Sequence, residues 1–207
     1  MWLGSFASTG SFRSEIDVPR RTLQRMLLAS SAGSVCGAVL LLRTSNARFA
    51  GLIPFLLLAA TVVFVAGPQL TRLSQRLTTP LTIDSPLGLV AQFAIAVYGG
   101  FFGAAIGILM LALLGILGMQ DLRRANAFKV LLATIINGVA VVPFVLARAI
   151  AWEAAIAMSA GAIAGGFLGA GVVKRLPSST VRAFVIVVAC SMTAYFFYTT
   201  YVAPKHG

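Results

Sequence analysis

Apolar residues run along this chain in blocks of about twenty, parted by short polar stretches that carry most of the Lys and Arg. Blocks of that length suit helices that cross roughly 30 Å of hydrocarbon. Six are present, about Leu23–Leu42, Phe49–Leu70, Leu87–Met119, Asn126–Leu146, Trp152–Val173 and Val181–Val202. The pattern predicts an all-α integral membrane protein, a polytopic helical bundle of about six apolar segments. The longest connection, "TRLSQRLTTPLTIDSP", is polar and ends in Pro86, so it reads as a linker between two halves.

The third block does not fit a simple span. Its thirty-three residues would make a straight helix about 50 Å long. Inside it lies "YGGFFGAAIG", with glycines at 99, 100, 103 and 107. Strong tilt could absorb some of the excess length. Clustered glycines instead predict a broken helix, or a re-entrant pair of half-helices that returns to the side it entered from.

Charge separates these arrangements. If the block spans, the sixteen Lys and Arg divide evenly between the two sides of the membrane. If it enters and returns, Arg43, Arg48, Arg148 and Lys205 share one face and the other twelve share the opposite one. The excess of positive loops on the cytoplasmic side favours the second arrangement.

An internal repeat points the same way. Gly33–Arg43 reads "GSVCGAVLLLR" and Gly165–Arg175 reads "GGFLGAGVVKR", a constant offset of 132 that continues through Phe49/Val181, Thr61/Thr193 and Phe64/Phe196. One GxxxG is common in any membrane helix, because small residues let backbones approach. Twinned at one offset with the same flanks, it is evidence of duplication. With a re-entrant third block the two copies point in opposite directions, the inverted repeat of many secondary transporters. The resulting division is an N-terminal loop and helix remnant (1–22), a partial first repeat (23–71), the linker (72–86), a complete second repeat (87–202) and a tail (203–207). The counterparts of the blocks at 87–119 and 126–146 would precede residue 20, so about two segments are expected to be missing from the first repeat.

Composition excludes other classes. Of 207 residues, 59% are hydrophobic and 10% charged, with a mean hydropathy of +0.95. No water-soluble domain of that size hides so much apolar surface. The net charge of +11 sits in clusters between apolar runs, with no basic stripe or aromatic platform, so nucleic acid is not an expected partner. Cys36 and Cys190 both lie within apolar runs, which argues against a disulfide or a metal site. His206 is the only histidine and stands in the tail, so imidazole-based chemistry is excluded. With no nucleophile–base pair, metal cluster or phosphate loop, the chain does not read as an enzyme and needs no cofactor.

What remains is chemistry suited to an anion. Half-helix N-termini and glycine-exposed N–H groups carry partial positive charge and hold an oxyanion without a side chain. Gly99, Gly100 and Gly103 would let such a group approach the backbone, or else they serve tight packing. Tyr98 could donate its hydroxyl to the ligand, or pack. Asn126 and Lys129 share a helix face and could contact the anion, although Lys129 is near enough to a span end to snorkel to the headgroups. Asn137, near the centre of its span, either faces the pathway or hydrogen-bonds across helices. Asp121 suits a helix cap and Glu153 a first helical turn.

"YGGFFGAAIGILMLALLGILGMQDLRRANAFKVLLATIINGVA" and "AIAWEAAIAMSAGAIAGGFLGAGVVKRLPSSTVRAFVIVV" resemble the second half of the TauE/SafE sulfite-exporter-like permeases, the TSUP family. Residues 11–75 resemble the later part of its first repeat. The resemblance implies secondary export of small sulfur-containing or organic anions, such as sulfite or sulfonates, across the bacterial inner membrane. The bilayer and a small anion are then the expected partners. A homo-oligomer in which a second copy supplies the missing part of the repeat is compatible with the duplication. The alternative is a truncated, non-transporting paralogue that acts as a membrane partner subunit.

Overall fold

A computed structural model describes residues 18–76, 82–119, 121–173 and 178–202, all of it helix and connecting turns. Seven α-helices follow in order: α1 Arg20–Arg43, α2 Asn46–Arg76, α3 Pro86–Phe101, α4 Ile106–Ile116, α5 Leu122–Leu146, α6 Trp152–Val173 and α7 Ser178–Phe197, the last continued by one π-helical turn at Tyr198–Val202. Four helical stretches are long and apolar enough to cross a membrane: 20–43, 46–69, 123–146 and 183–202. The six expected blocks thus map onto seven helices, because the third is broken in two. Helix α2 also continues to Arg76, past the point where the linker was expected to begin. Its last polar turns contain neither Gly nor Pro, so nothing in them stops a helix.

The break forms a hairpin. Helix α3 starts on Pro86 at its first turn, with Ser85 as N-cap accepting from the Gly88 N–H. It ends at Phe102, and the chain reverses through Gly103 (φ +79°) and Ala105 (φ +58°). The two arms then lie antiparallel: the Gly99 backbone packs on Ile106 next to the turn, and the Gly88 backbone packs on Leu117 at the far end. The segment therefore returns to the end it left.

Helix α1 runs parallel to α3 in close contact. A methyl group at Gly33 would lie 2.8 Å from the Ala96 Cβ, and one at Gly37 would run into the Val97 carbonyl. Polar pairs mark the same register, with the Thr22 hydroxyl donating to Asp84 at 2.8 Å and the Gln92 amide donating to Ser30 at 2.9 Å. The Ser34 hydroxyl donates to the Ile136 carbonyl and ties α5 to this seam. Met26, Ala96, Met110, Leu114, Phe128, Leu132 and Ile136 fill the core between α1, the hairpin and α5.

The remaining helices are peripheral. Helix α2 meets the hairpin where Gly67 receives Ile108, and α7 joins the bundle chiefly through α2. Gly51, Phe55 and Thr61 of α2 face Tyr201, Phe197 and Thr193, so α2 and α7 run antiparallel. Helix α6 is exposed along its described side chains except for half-buried Ala155. Cys36 and Cys190 are free and exposed. Asp121 caps α5, accepting from the N–H groups of Arg123 and Arg124, and Glu153 stands in the first turn of α6. Arg13, Lys174, Arg175 and Lys205 of the charge division lie outside the described residues, as do 1–17 and 203–207.

Candidate functional site

The hairpin turn is where backbone polarity is unspent. The Phe102 and Gly103 N–H groups both donate to the Tyr98 carbonyl, at 2.9 and 3.3 Å, which closes α3. The Ala105 carbonyl accepts from Ile108 and Leu109 and opens α4. Between them the N–H groups of Ala104, Ala105, Ile106 and Gly107 have no backbone acceptor among the described residues. They form the N-terminal turn of a helix inside an apolar bundle, with the positive end of its dipole.

One cation approaches that turn. A methyl group at Gly107 would stand 3.5 Å from Lys129 Cδ and 4.0 Å from its Nζ, so the absence of a side chain at 107 is what lets the lysine stem lie against α4. The Lys129 ammonium donates to Asn126 Oδ1 at 2.6 Å, and Lys129 itself is half-buried. The amide holds the ammonium near the helix start, and two of the three ammonium protons remain for another acceptor. Lys129, Asn126 and the first turn of α4 thus come together, although the notable partner at 107 was legible in the sequence only as one more glycine.

The other expected residues divide. Gly103 is half-buried, with only the Gly99 carbonyl within 4 Å of where its side chain would be, and its positive φ turns the chain. Gly99 and Gly100 are buried and packed. A side chain at Gly99 would collide with Ile106, and one at Gly100 with the Ser34 carbonyl. The Tyr98 ring meets Phe102 edge-on at 6.2 Å and its hydroxyl bonds to no described residue. Asn137 is exposed and has no side-chain hydrogen bond to a described residue, so it stands apart from this group. Gln92 and Ser30, both fully buried, escaped the sequence reading. A lone glutamine within "GLVAQFAIAV" was the signal.

The sequence matches the sulfite exporter TauE/SafE family over residues 1–196. The chain belongs to the TauE/SafE family. A probable membrane transporter protein of Haemophilus influenzae is 30% identical over 198 residues, which cover 94% of this chain and 75% of that protein. The probable membrane transporter protein YfcA of Escherichia coli K12 is 26% identical over 170 residues, 82% of this chain and 62% of YfcA. No solved structure matches. Among TauE/SafE proteins the role is transport across a membrane rather than catalysis, and this chain has the multi-pass helical form that role requires. Within the described residues no group of three or more His, Cys, Asp or Glu side chains could hold a metal ion.

Proposed function

We propose that this chain is a secondary exporter of small sulfur-containing or organic anions, sulfite and sulfonates foremost, in the bacterial inner membrane. The observation that carries the reading is the Lys129 ammonium lying against Gly107 at the first turn of α4, where four N–H groups have no backbone acceptor. An oxyanion there accepts from the ammonium and from the helix start, with Asn126 holding the lysine and Gly103 leaving the turn open. Tyr98 lies one turn before the break, and its unbonded hydroxyl is available to a ligand in the turn. Asn137 belongs to the access route rather than to the site. Gly99 and Gly100 serve by letting the hairpin sit close to α1 and α5.

The antiparallel α2 and α7, at equivalent places in the repeat, support an inverted arrangement of the two halves. The hairpin then stands as one of the broken elements such transporters use near the midplane. The test is sulfite efflux from proteoliposomes. Losing one charge-assisted contact costs about 1.5–3 kcal/mol, so Lys129→Gln should slow efflux about tenfold or more at equal protein level. Gly107→Val, which pushes the lysine stem aside, should do the same, while Arg148→Gln at the other end should not. Unchanged efflux in both site variants would refute this site.

A second reading, a non-transporting partner subunit, is favoured by one observation. Gly161 and Gly165 of α6 have nothing within 4 Å of their would-be side chains, so that helix has room for a neighbour. A chain that moves no sulfite alone but restores efflux beside a longer family member would support it.

A further inference from the structure

The offset that relates the two halves in the sequence returns as a contact in space. Thr61 and Thr193 are equivalent positions, and their hydroxyls lie 3.4 Å apart, buried at the α2–α7 crossing. Each hydroxyl also bonds to the carbonyl one turn back, on Leu57 and Ala189, which are equivalent positions again. The helices themselves begin 132 residues apart, α1 at Arg20 and α6 at Trp152, α2 at Asn46 and α7 at Ser178. Equivalent residues meet each other only on a two-fold axis. Because α2 and α7 are antiparallel, the axis that exchanges them runs perpendicular to both and passes between them at the threonine pair.

Packing around the axis is unequal. Toward the end that carries Arg43 and Arg48, Phe55 meets Phe197 at 5.2 Å and Tyr201 at 5.9 Å, and the Tyr201 hydroxyl donates to the Gly51 carbonyl at 2.9 Å. The counterparts of these four residues at the other end are Val187, Val65, Gln69 and Ala183, with no ring and no hydroxyl among them. Since α7 joins the bundle chiefly through α2, this crossing is the joint between the α1–hairpin–α5 core and the C-terminal helix.

We propose that the α2–α7 crossing is the pivot on which the C-terminal helix tilts against the α1–hairpin–α5 core, with Thr61 and Thr193 at the fixed point and Tyr201, Phe55 and Phe197 as a latch that closes one end. This rests on the transport reading for its purpose but not for its geometry. Tyr201 stands about 12 Å along the helix from Thr193, so a tilt of roughly 10° moves it about 2 Å, enough to part a hydrogen bond, and moves the pivot hardly at all.

Two cysteine pairs test this in a chain whose Cys36 and Cys190 are serine. Thr61→Cys/Thr193→Cys is joined by oxidation, and Gly51→Cys/Tyr201→Cys by bifunctional thiol reagents with a short or a long arm. Joining the first pair should leave efflux at roughly half its rate or better, and joining the second should slow it about tenfold or more. Short and long arms should join the second pair equally, because that end opens. Equal loss of efflux in both pairs, or joining of the second pair by the short arm alone, would overturn the pivot. The arm-length comparison needs no transport, so a chain that moves no sulfite refutes the transport reading while the pivot is decided on joining yields.

Discussion

Gly100 and Gly165 are both glycines of membrane helices, yet the same substitution should separate them. A methyl group at Gly100 runs into the Ser34 carbonyl, which is backbone and cannot swing away, whereas one at Gly165 meets nothing within 4 Å. Gly100→Ala should therefore lower stability by about 1–3 kcal/mol, whereas Gly165→Ala should leave it unchanged or raise it by up to about 1 kcal/mol through alanine's better helix propensity. Thermal unfolding in detergent distinguishes them, and equal shifts would contradict the seam. The buried Gln92–Ser30 pair gives a second contrast. The Gln92 Oε1 has no partner while its Nε2 has Ser30. Removing the hydroxyl with Ser30→Ala leaves both ends of the amide unsatisfied and should cost about 1–2 kcal/mol. Gln92→Leu removes the amide altogether and should be near neutral. The same assay checks the order, and Gln92→Leu being the worse of the two would show that the amide does more than bridge helices.

Among the helices, what the sequence made legible was periodic or punctuated. Twenty-residue apolar blocks marked the long helices, α6 with the expected bounds Trp152–Val173, and the glycine cluster with excess length marked the hairpin. Asp121 was legible as a cap because a carboxylate before "LRRANAF" has one local use. Partners across the bundle were not legible. That Gly99 and Gly100 fill against Ile106 and Ser34 while Gly103 stays open depends on which helix comes alongside, and four neighbouring glycines look alike until it does. Lys129 was visible as a charge near a span end, but its seat against Gly107 depends on the chain reversing at Gly103 and Ala105. Ser30 and Ser34 were hidden for a further reason: small hydroxyl residues are tolerated anywhere in a membrane helix.

For the whole molecule the hairpin fixes sidedness. Because α3 and α4 return to one end, Arg76 at the close of α2 and Arg123 at the start of α5 stand on the same face, and Arg43, Arg48 and Arg148 on the other. The Thr22–Asp84 hydrogen bond brings the start of α1, with Arg20, Arg21 and Arg25, to the Arg76 face. Reporter fusions after Arg76 and after Arg123 should both read cytoplasmic, and one after Arg148 should read external; opposite readings for the first two would dismantle the topology. The contact between Thr61 and Thr193 has a consequence for how such a chain could arise. A position that meets its own copy must be able to pair with itself. A threonine satisfies that demand, since its hydroxyl gives its proton to its own helix and sets no charge against the copy, whereas a lysine or an aspartate there would face its own charge. Under the proposed inverted repeat, an ancestor the length of one complete repeat, assembling as two oppositely inserted copies, would have had to carry a self-compatible residue at that site from the beginning. Gene fusion would then lift the requirement that both copies be identical, and the threonine pair would mark a position where they have stayed so.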